Sequence, residues 1–266
     1  MTQDKGNVAQ IRPGQQPAAP PEPWRPVKFE AAWVDTRNEQ QLLAMMETID
    51  QAAGVGRLGY LWSQAGRGKT DTSARYASPR KLPHIRVRED WTGSTLPFLK
   101  KLCFELGQLT PPHTRTRCID EAIERLLKRP AKQRVVFIDE MDRIPKHLDL
   151  MRDLADLAGA AFIFIGEVGL PNLINANGRV WSRTLGEVCF EAAEAQHIVA
   201  YGWESAGLKI EPPAALLFNR AEGGGDWRVI RNRVIKTVAL ANTKKTRQIT
   251  EDLARLILEE ELKNRK

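Results

Sequence analysis

Two hydrophobic periods alternate along this chain. Leu42, Leu43, Met45, Met46 and Ile49 recur at helical spacing and predict a helix over 38–49, after which Leu58-Gly59-Tyr60-Leu61-Trp62 reads as a short buried strand running into a Gly-rich turn. A strand at 84–87 precedes two amphipathic helices. Leu99, Leu102, Cys103 and Leu106 mark the first, and Ile119, Ile123, Leu126 and Leu127 mark the second. A strand at 135–138, a helix over 148–157, a strand at 161–165 and a short strand at 188–190 follow. Five strands separated by helices predict an α/β fold whose five-stranded parallel sheet is covered on both faces. Beyond about 192 only helical patterns remain, at 194–205, 213–221, 227–241 and 250–262, which predicts a separate helical domain. The first 28 residues hold six prolines (Pro13, Pro17, Pro20, Pro21, Pro23, Pro26) and almost nothing to bury, so they read as a flexible arm. The expected division is therefore an arm over 1–28, an α/β core over 29–191 and a helical domain over 192–266.

Composition narrows the class of protein. With 266 residues, 42% of them hydrophobic and 27% charged, the chain can bury a substantial core. Its longest apolar run, Ala160 to Ile165, is far too short for a membrane span, and 1–14 lacks the apolar stretch of a secretory signal. A cytoplasmic protein is expected. The three cysteines (Cys103, Cys118, Cys189) and four histidines (His84, His113, His147, His197) show no metal-ligand spacing, so no metal beyond Mg²⁺ is expected and the thiols read as core residues. A net charge of +7 and a pI near 9.4 favour a polyanionic partner.

The chemistry is concentrated in two segments. Ser63-Gln64-Ala65-Gly66-Arg67-Gly68-Lys69-Thr70 lies where a strand hands over to a helix and matches a P-loop, with Ser63 in place of the usual first glycine. Gly66 and Gly68 free the backbone to wrap phosphate, Lys69 supplies a cation and Thr70 a hydroxyl for Mg²⁺, so Ser63, Gly66, Arg67, Gly68, Lys69 and Thr70 are the candidate nucleotide-binding residues. The second segment, Val135-Val136-Phe137-Ile138-Asp139-Glu140, runs four apolar residues into two carboxylates. Asp139 is the candidate Mg²⁺ residue and Glu140 the candidate general base that activates water. Lys69, Thr70, Asp139 and Glu140 are expected to converge at the carboxyl ends of adjacent parallel strands. An extra strand fits between the two segments, as in the additional-strand P-loop ATPases.

With these motifs in place, the chain resembles the AAA+ ATPases over about 36–242, and within them the transposition ATPases of the MuB and TnsC kind. The resemblance rests on the P-loop with Ala74-Arg75-Tyr76-Ala77 after it, on Ile138-Asp139-Glu140-Met141-Asp142-Arg143, on Ile165-Gly166-Glu167, on Trp181-Ser182-Arg183 and on Gly225-Asp226-Trp227-Arg228. It implies ATP and Mg²⁺ as cofactors, the helical domain as a lid, and a ring or helical self-assembly of about six or more subunits per turn with nucleotide between neighbours. It also implies an arginine finger acting across subunits, for which Arg183 is the candidate and Arg179 the reserve, and a lid sensor arginine, Arg228. At the end of the fourth strand the family usually has Asn, Thr or Ser. This chain has Gly166-Glu167, which makes Glu167 the candidate nucleotide-contacting residue there.

Charge clustering points to nucleic acid. Arg228, Arg231, Arg233, Lys236, Lys244, Lys245 and Arg247 fall in one stretch without an acidic residue, and Arg115, Arg117, Arg125, Lys128, Arg129, Lys132 and Arg134 outnumber Asp120, Glu121 and Glu124 in another. No aromatics alternate with these cations, so phosphate contact is expected in preference to base stacking. In the related transposition ATPases, DNA is touched by the loops ahead of the two helices between the Walker motifs. That implies Thr92, Lys100, Lys101, Arg115, Thr116 and Arg117 as DNA-contacting candidates. The resulting expectation is an ATP-dependent, largely sequence-independent binder of double-stranded DNA that delivers a target site to a transposase. The alternatives are a helicase loader or replication initiator, and a signalling NTPase that acts by recruiting proteins.

Overall fold

A computed structural model of the protein describes residues 24–52 and 57–263. Helix α1 (Arg37–Gln51) begins where the Thr36 hydroxyl accepts the Glu39 N–H, and it buries Leu42, Met45, Met46 and Ile49 against the sheet. β1 (Arg57–Trp62), α2 (Lys69–Ala77) and β2 (His84–Arg86) follow. The neighbouring helices α3 (Leu96–Glu105) and α4 (Arg115–Leu127) then cover the sheet's other face, ahead of β3 (Val135–Asp139), α5 (Leu148–Ala158) and β4 (Ala161–Gly166). Two short helices that apolar periodicity does not mark, α6 (Leu170–Ala176) and α7 (Gly178–Trp181), lead into β5 (Thr184–Cys189).

The five strands form one parallel sheet in the order β2-β3-β4-β1-β5. β3 and β4 are buried along their whole length, which is why both read as unbroken apolar runs. The order corrects one expectation. The P-loop follows β1 and the carboxylate pair follows β3, but these strands are not adjacent, because β4 pairs with both and runs between them. The site therefore spans three strand ends, with the end of β4 as its floor.

Beyond the sheet lie α8 (Ala195–Ala206), β6 (Lys209–Ile210), α9 (Pro212–Arg220), α10 (Trp227–Lys244), β7 (Gln248–Ile249) and α11 (Glu251–Lys263). They share a core of their own, including Ile198, Leu208, Phe218, Ile230, Val234 and Ile249. The expectation of helices alone is corrected by the parallel pairing of β6 with β7. Two residues per strand are too few to display a period, although Ile210 and Ile249 are both buried.

The arm expected over 1–28 lies outside the described residues up to 23. From Trp24 onward the structure differs from that expectation. Val27 is buried, and its backbone N–H donates to Asn242 Oδ1 (2.7 Å) while its carbonyl accepts from Asn242 Nδ2 (2.9 Å). The Glu30 N–H donates to the Ser205 carbonyl at 2.8 Å, and the Phe29 ring meets Tyr201 edge-on. Farther on, Trp33 Nε1 donates to Glu39 at 2.9 Å and the Arg75 guanidinium lies 4.7 Å from the Trp33 ring centre. Residues 24–36 thus form a strap from the helical domain to the core. The Asn242 amide offers one donor and one acceptor, the complement of an extended backbone residue. No helix of the described residues is long and apolar enough to cross a membrane.

Candidate nucleotide site and nucleic-acid interface

After β1 the chain winds through left-handed torsions at Gly66 (φ 77°) and Gly68 (φ 87°), a region that only glycine enters freely. No side chain caps the start of α2 at Gly68, so the first N–H groups of that helix face the turn with the positive end of its dipole. Such a turn is an anion site. Ser63 needs no left-handed torsion, which is why a serine is accommodated where a glycine is usual. The Lys69 ammonium donates to the Ser63 carbonyl (3.0 Å), Ser63 Oγ (2.9 Å) and the Gln64 carbonyl (3.0 Å). Burial lowers its pKa, opposed by the negative charges of Glu167, Asp139 and Asp142, with Arg228 adding to the lowering.

From the far side of β4, the buried Asp139 carboxylate accepts the Thr70 hydroxyl at 2.7 Å and the Glu140 N–H at 3.0 Å. Glu140 itself is left-handed (φ 59°), a conformation costing roughly 1 kcal/mol or more for a residue with a side chain. Its carboxylate is held by Arg86, whose Nε lies 2.8 Å away, and by Arg143, whose Nε lies 2.5 Å away. Thr70 and Asp139 place a hydroxyl and a carboxylate oxygen side by side under the turn. That donor set suits Mg²⁺, which takes few protein ligands and fills its shell with phosphate and water. Among the described residues, no group of three or more His, Cys, Asp or Glu side chains could hold a metal without such help.

The helical domain closes onto this turn. The Trp227 N–H donates to the Gly66 carbonyl at 2.9 Å, and the Asp226 carboxylate, which caps α10 by accepting the Arg228 N–H, lies so close that a Cβ on Gly66 would sit 2.0 Å from it. Lys69, Glu140, Glu167 and the exposed Arg228 line a cleft of about 290 Å³. A cavity of about 540 Å³ shares Arg67, Gly68, Trp227 and Arg228 with it and adds Trp33, Val34 and Tyr201. Aromatic and apolar walls beside a phosphate turn suit a nucleoside. Sequence reasoning does not find this wall, because four separate segments build it and none carries a motif.

Arg183 lies just before β5, at the amino end of the sheet, where its carbonyl accepts the Leu58 N–H. Six-residue strands put it about 20 Å from the P-loop end, so it cannot serve the cleft of its own chain. Its Nε donates to Asp156 Oδ2 at 2.8 Å, while Arg179 is exposed.

The two loops expected to touch DNA do meet. Arg115 Nε donates to Thr95 Oγ1 at 3.0 Å, and Thr92, Arg115, Thr116 and Arg117 are all exposed. Lys100 is half-buried, and Lys101 is tied to Glu105 at 2.6 Å. Much of the rest of the basic clustering is structural, which corrects the charge reading. Arg233 is buried and donates to the Phe218 and Glu222 carbonyls and to Glu261, which also pairs with Lys236. The acid missing from 228–247 thus comes from α11. Arg125 and Lys128 pair with Glu121 and Glu124, and Arg134 donates to the Arg129 and Leu127 carbonyls.

A family model described as an AAA domain matches residues 53–174, somewhat less than half of the chain. No curated protein matches the sequence. Among solved structures, the chain is similar to the ORC1 protein of Aeropyrum pernix in complex with DNA, with 18% identity and a TM-score of 0.56. It is also similar to the Aeropyrum pernix ORC2 protein in ADPNP–ADP complexes (12%, 0.60) and to Cdc6p from Pyrobaculum aerophilum (14%, 0.60). Each similarity covers 85% of this chain and, in the order given, 66%, 69% and 69% of the other, so this chain spans about two thirds of their length. The fold is accordingly α/β, a five-stranded parallel sheet behind a phosphate-binding turn with a C-terminal helical domain, similar to an AAA domain over 53–174 and, in overall fold, to these structures.

Proposed function

We propose that this chain is a Mg²⁺-dependent ATPase that binds duplex DNA and is switched by its nucleotide. The Thr70–Asp139 hydrogen bond beneath the 66–70 turn carries this reading, because it joins a phosphate cradle to a metal-binding carboxylate across the end of β4. Gly66, Gly68 and Lys69 bind the β and γ phosphates, and Trp33, Tyr201 and Trp227 wall the base. Thr70 and Asp139 would hold Mg²⁺, which when bound neutralises charge on the phosphates. Glu140 accepts the proton of the attacking water once its carboxylate is free of the arginines. Arg183 acts on a neighbouring subunit's nucleotide, its fixed planar charge matching the γ-phosphate oxygens. Thr92, Lys100, Lys101, Arg115, Thr116 and Arg117 form the DNA-facing edge.

Two DNA-handling roles share this chemistry. The likeness to ORC and Cdc6p chains, one of them in complex with DNA, supports the initiator or helicase-loader role over delivery of a target to a transposase, which rests on motif resemblance alone. Lys69→Ala is expected to lose ATP binding, and Glu140→Gln to keep it while hydrolysing roughly a hundredfold or more slowly. Equal ATP affinity in wild type and Lys69→Ala sinks the nucleotide assignment. Gel shifts on unrelated duplexes, over a salt series and with ATP, ADP or no nucleotide, test the rest. Reversing Arg115 and Arg117 to Glu is expected to weaken all duplexes alike and flatten the salt slope by roughly one to two. Tight binding to one sequence without nucleotide points to an initiator with its own base-reading surface, whereas ATP-dependent, sequence-blind binding keeps both roles open to a helicase or transposase recruitment assay.

A further inference from the structure

Three strand ends border the cleft, and two of them supply polar groups: β1 through the phosphate turn, β3 through Asp139 and Glu140. The third, β4, ends in Gly166, which has no side chain. The space is nevertheless filled. A Cβ built on Gly166 would sit 2.7 Å from Asp142 Oδ1, so the Asp142 carboxylate reaches over from the turn after β3 and lies on the end of β4. Asp142 lines the same cleft as Lys69, Glu140 and Glu167, and its negative charge acts on Lys69. Its Oδ1 is buried and has no hydrogen-bond partner. A buried carboxylate oxygen without a donor is costly unless the working site supplies one.

We propose that Asp142 supplies the polar group that β4 lacks, its carboxylate facing the terminal phosphate of a bound nucleoside triphosphate and accepting a hydrogen bond from the attacking water there. A carboxylate cannot donate to a phosphate oxygen, so water is its natural partner, and its charge opposes the extra negative charge that ATP carries over ADP. Gly166 is required because any side chain would displace that carboxylate. Glu167, the residue that sequence resemblance offers for this position, is exposed at the rim. The assignment rests on the nucleotide reading above.

The test is a titration of wild type, Asp142→Asn, Glu167→Gln and Gly166→Ala with fluorescent ATP and ADP analogues in Mg²⁺, alongside steady-state phosphate release. Asp142→Asn is expected to raise the preference for ATP over ADP at least threefold and to slow turnover at least tenfold, while Glu167→Gln moves the preference less than twofold. Gly166→Ala, which keeps the charge but displaces it, is expected to slow turnover comparably. An unchanged ATP-to-ADP preference in folded Asp142→Asn, or wild-type turnover in Gly166→Ala, overturns the assignment. If wild type binds nucleotide without hydrolysing it, the ATPase reading fails and the affinity ratio still decides Asp142. Binding of neither nucleotide overturns both.

Discussion

Glu140 is shared between two guanidiniums, and that sharing restrains the carboxylate proposed above as the base. Arg86 ends β2, directly ahead of the loop that carries Thr92, so the exposed edge and the cleft are joined through one ion pair. Arg86→Ala leaves Glu140 with Arg143 alone. Its carboxylate then turns more readily to water, and phosphate release without DNA is expected to rise severalfold with ATP affinity unaltered. A fall in that basal rate would show that Arg86 aids the base instead of restraining it. The thiols separate in the same residue-by-residue way. Burial pushes Cys103 up to about 12 and Cys118 above its ordinary value; desolvation and the neighbouring Glu191 and Glu187 raise Cys189 as well, but it is the exposed thiol of the three, on β5. With an aromatic disulfide reagent at mildly alkaline pH, one thiol per native chain is expected to react quickly and the other two only after denaturation.

At the scale of elements, the Arg183–Asp156 pair joins the start of β5 to α5. Asp156 Oδ1 is already buried without a partner, so Arg183→Ala strands a carboxylate at a cost of roughly 1–3 kcal/mol, or about 2–10 °C in melting temperature. Lost hydrolysis in that variant alone would not identify a finger. Arg183→Lys keeps the charge and loses the fork. If Arg183 acts across subunits, mixing folded Arg183→Lys with Glu140→Gln restores hydrolysis at mixed interfaces, and no rescue at any ratio counts against it. The strands and the phosphate turn were legible because each is one contiguous segment whose chemistry requires its own residues: unbroken apolar runs for β3 and β4, Gly66 and Gly68 for the turn. The carboxylate at the end of β4 was hidden for the opposite reason. Gly166 signals only an absence, and the side chain that fills it comes from Asp142, which reads as one more charge after Asp139-Glu140. Arg233 misled similarly, since its partner Glu261 is supplied by a different helix.

Across the whole molecule, the strap over 24–36 links the helical domain, the cavity beside the phosphate turn and the core. A chain beginning at Asp35 loses the Val27–Asn242 hydrogen bonds, the Phe29–Tyr201 contact and the Trp33 wall, all retained by a chain beginning at Trp24. The shorter chain is expected to bind nucleotide at least tenfold more weakly and to melt ~5 °C lower or more, read by titration and calorimetry. Equal affinity in the two would place the base elsewhere.

The Val27–Asn242 link also fixes an order of events during translation. These residues are 215 positions apart, so at about 5–20 residues per second the ribosome needs roughly 10–40 s after making Val27 before its partner amide exists. The parallel sheet can form in that interval, because β5 is complete by Cys189. Phe29 can already meet Tyr201 and the Glu30 N–H the Ser205 carbonyl before then, but the Val27 tie cannot close until Asn242 is made. A polypeptide released before Asn242 would therefore keep the phosphate turn and the cavity-lining residues but lack the tie that fastens Val27 to α10.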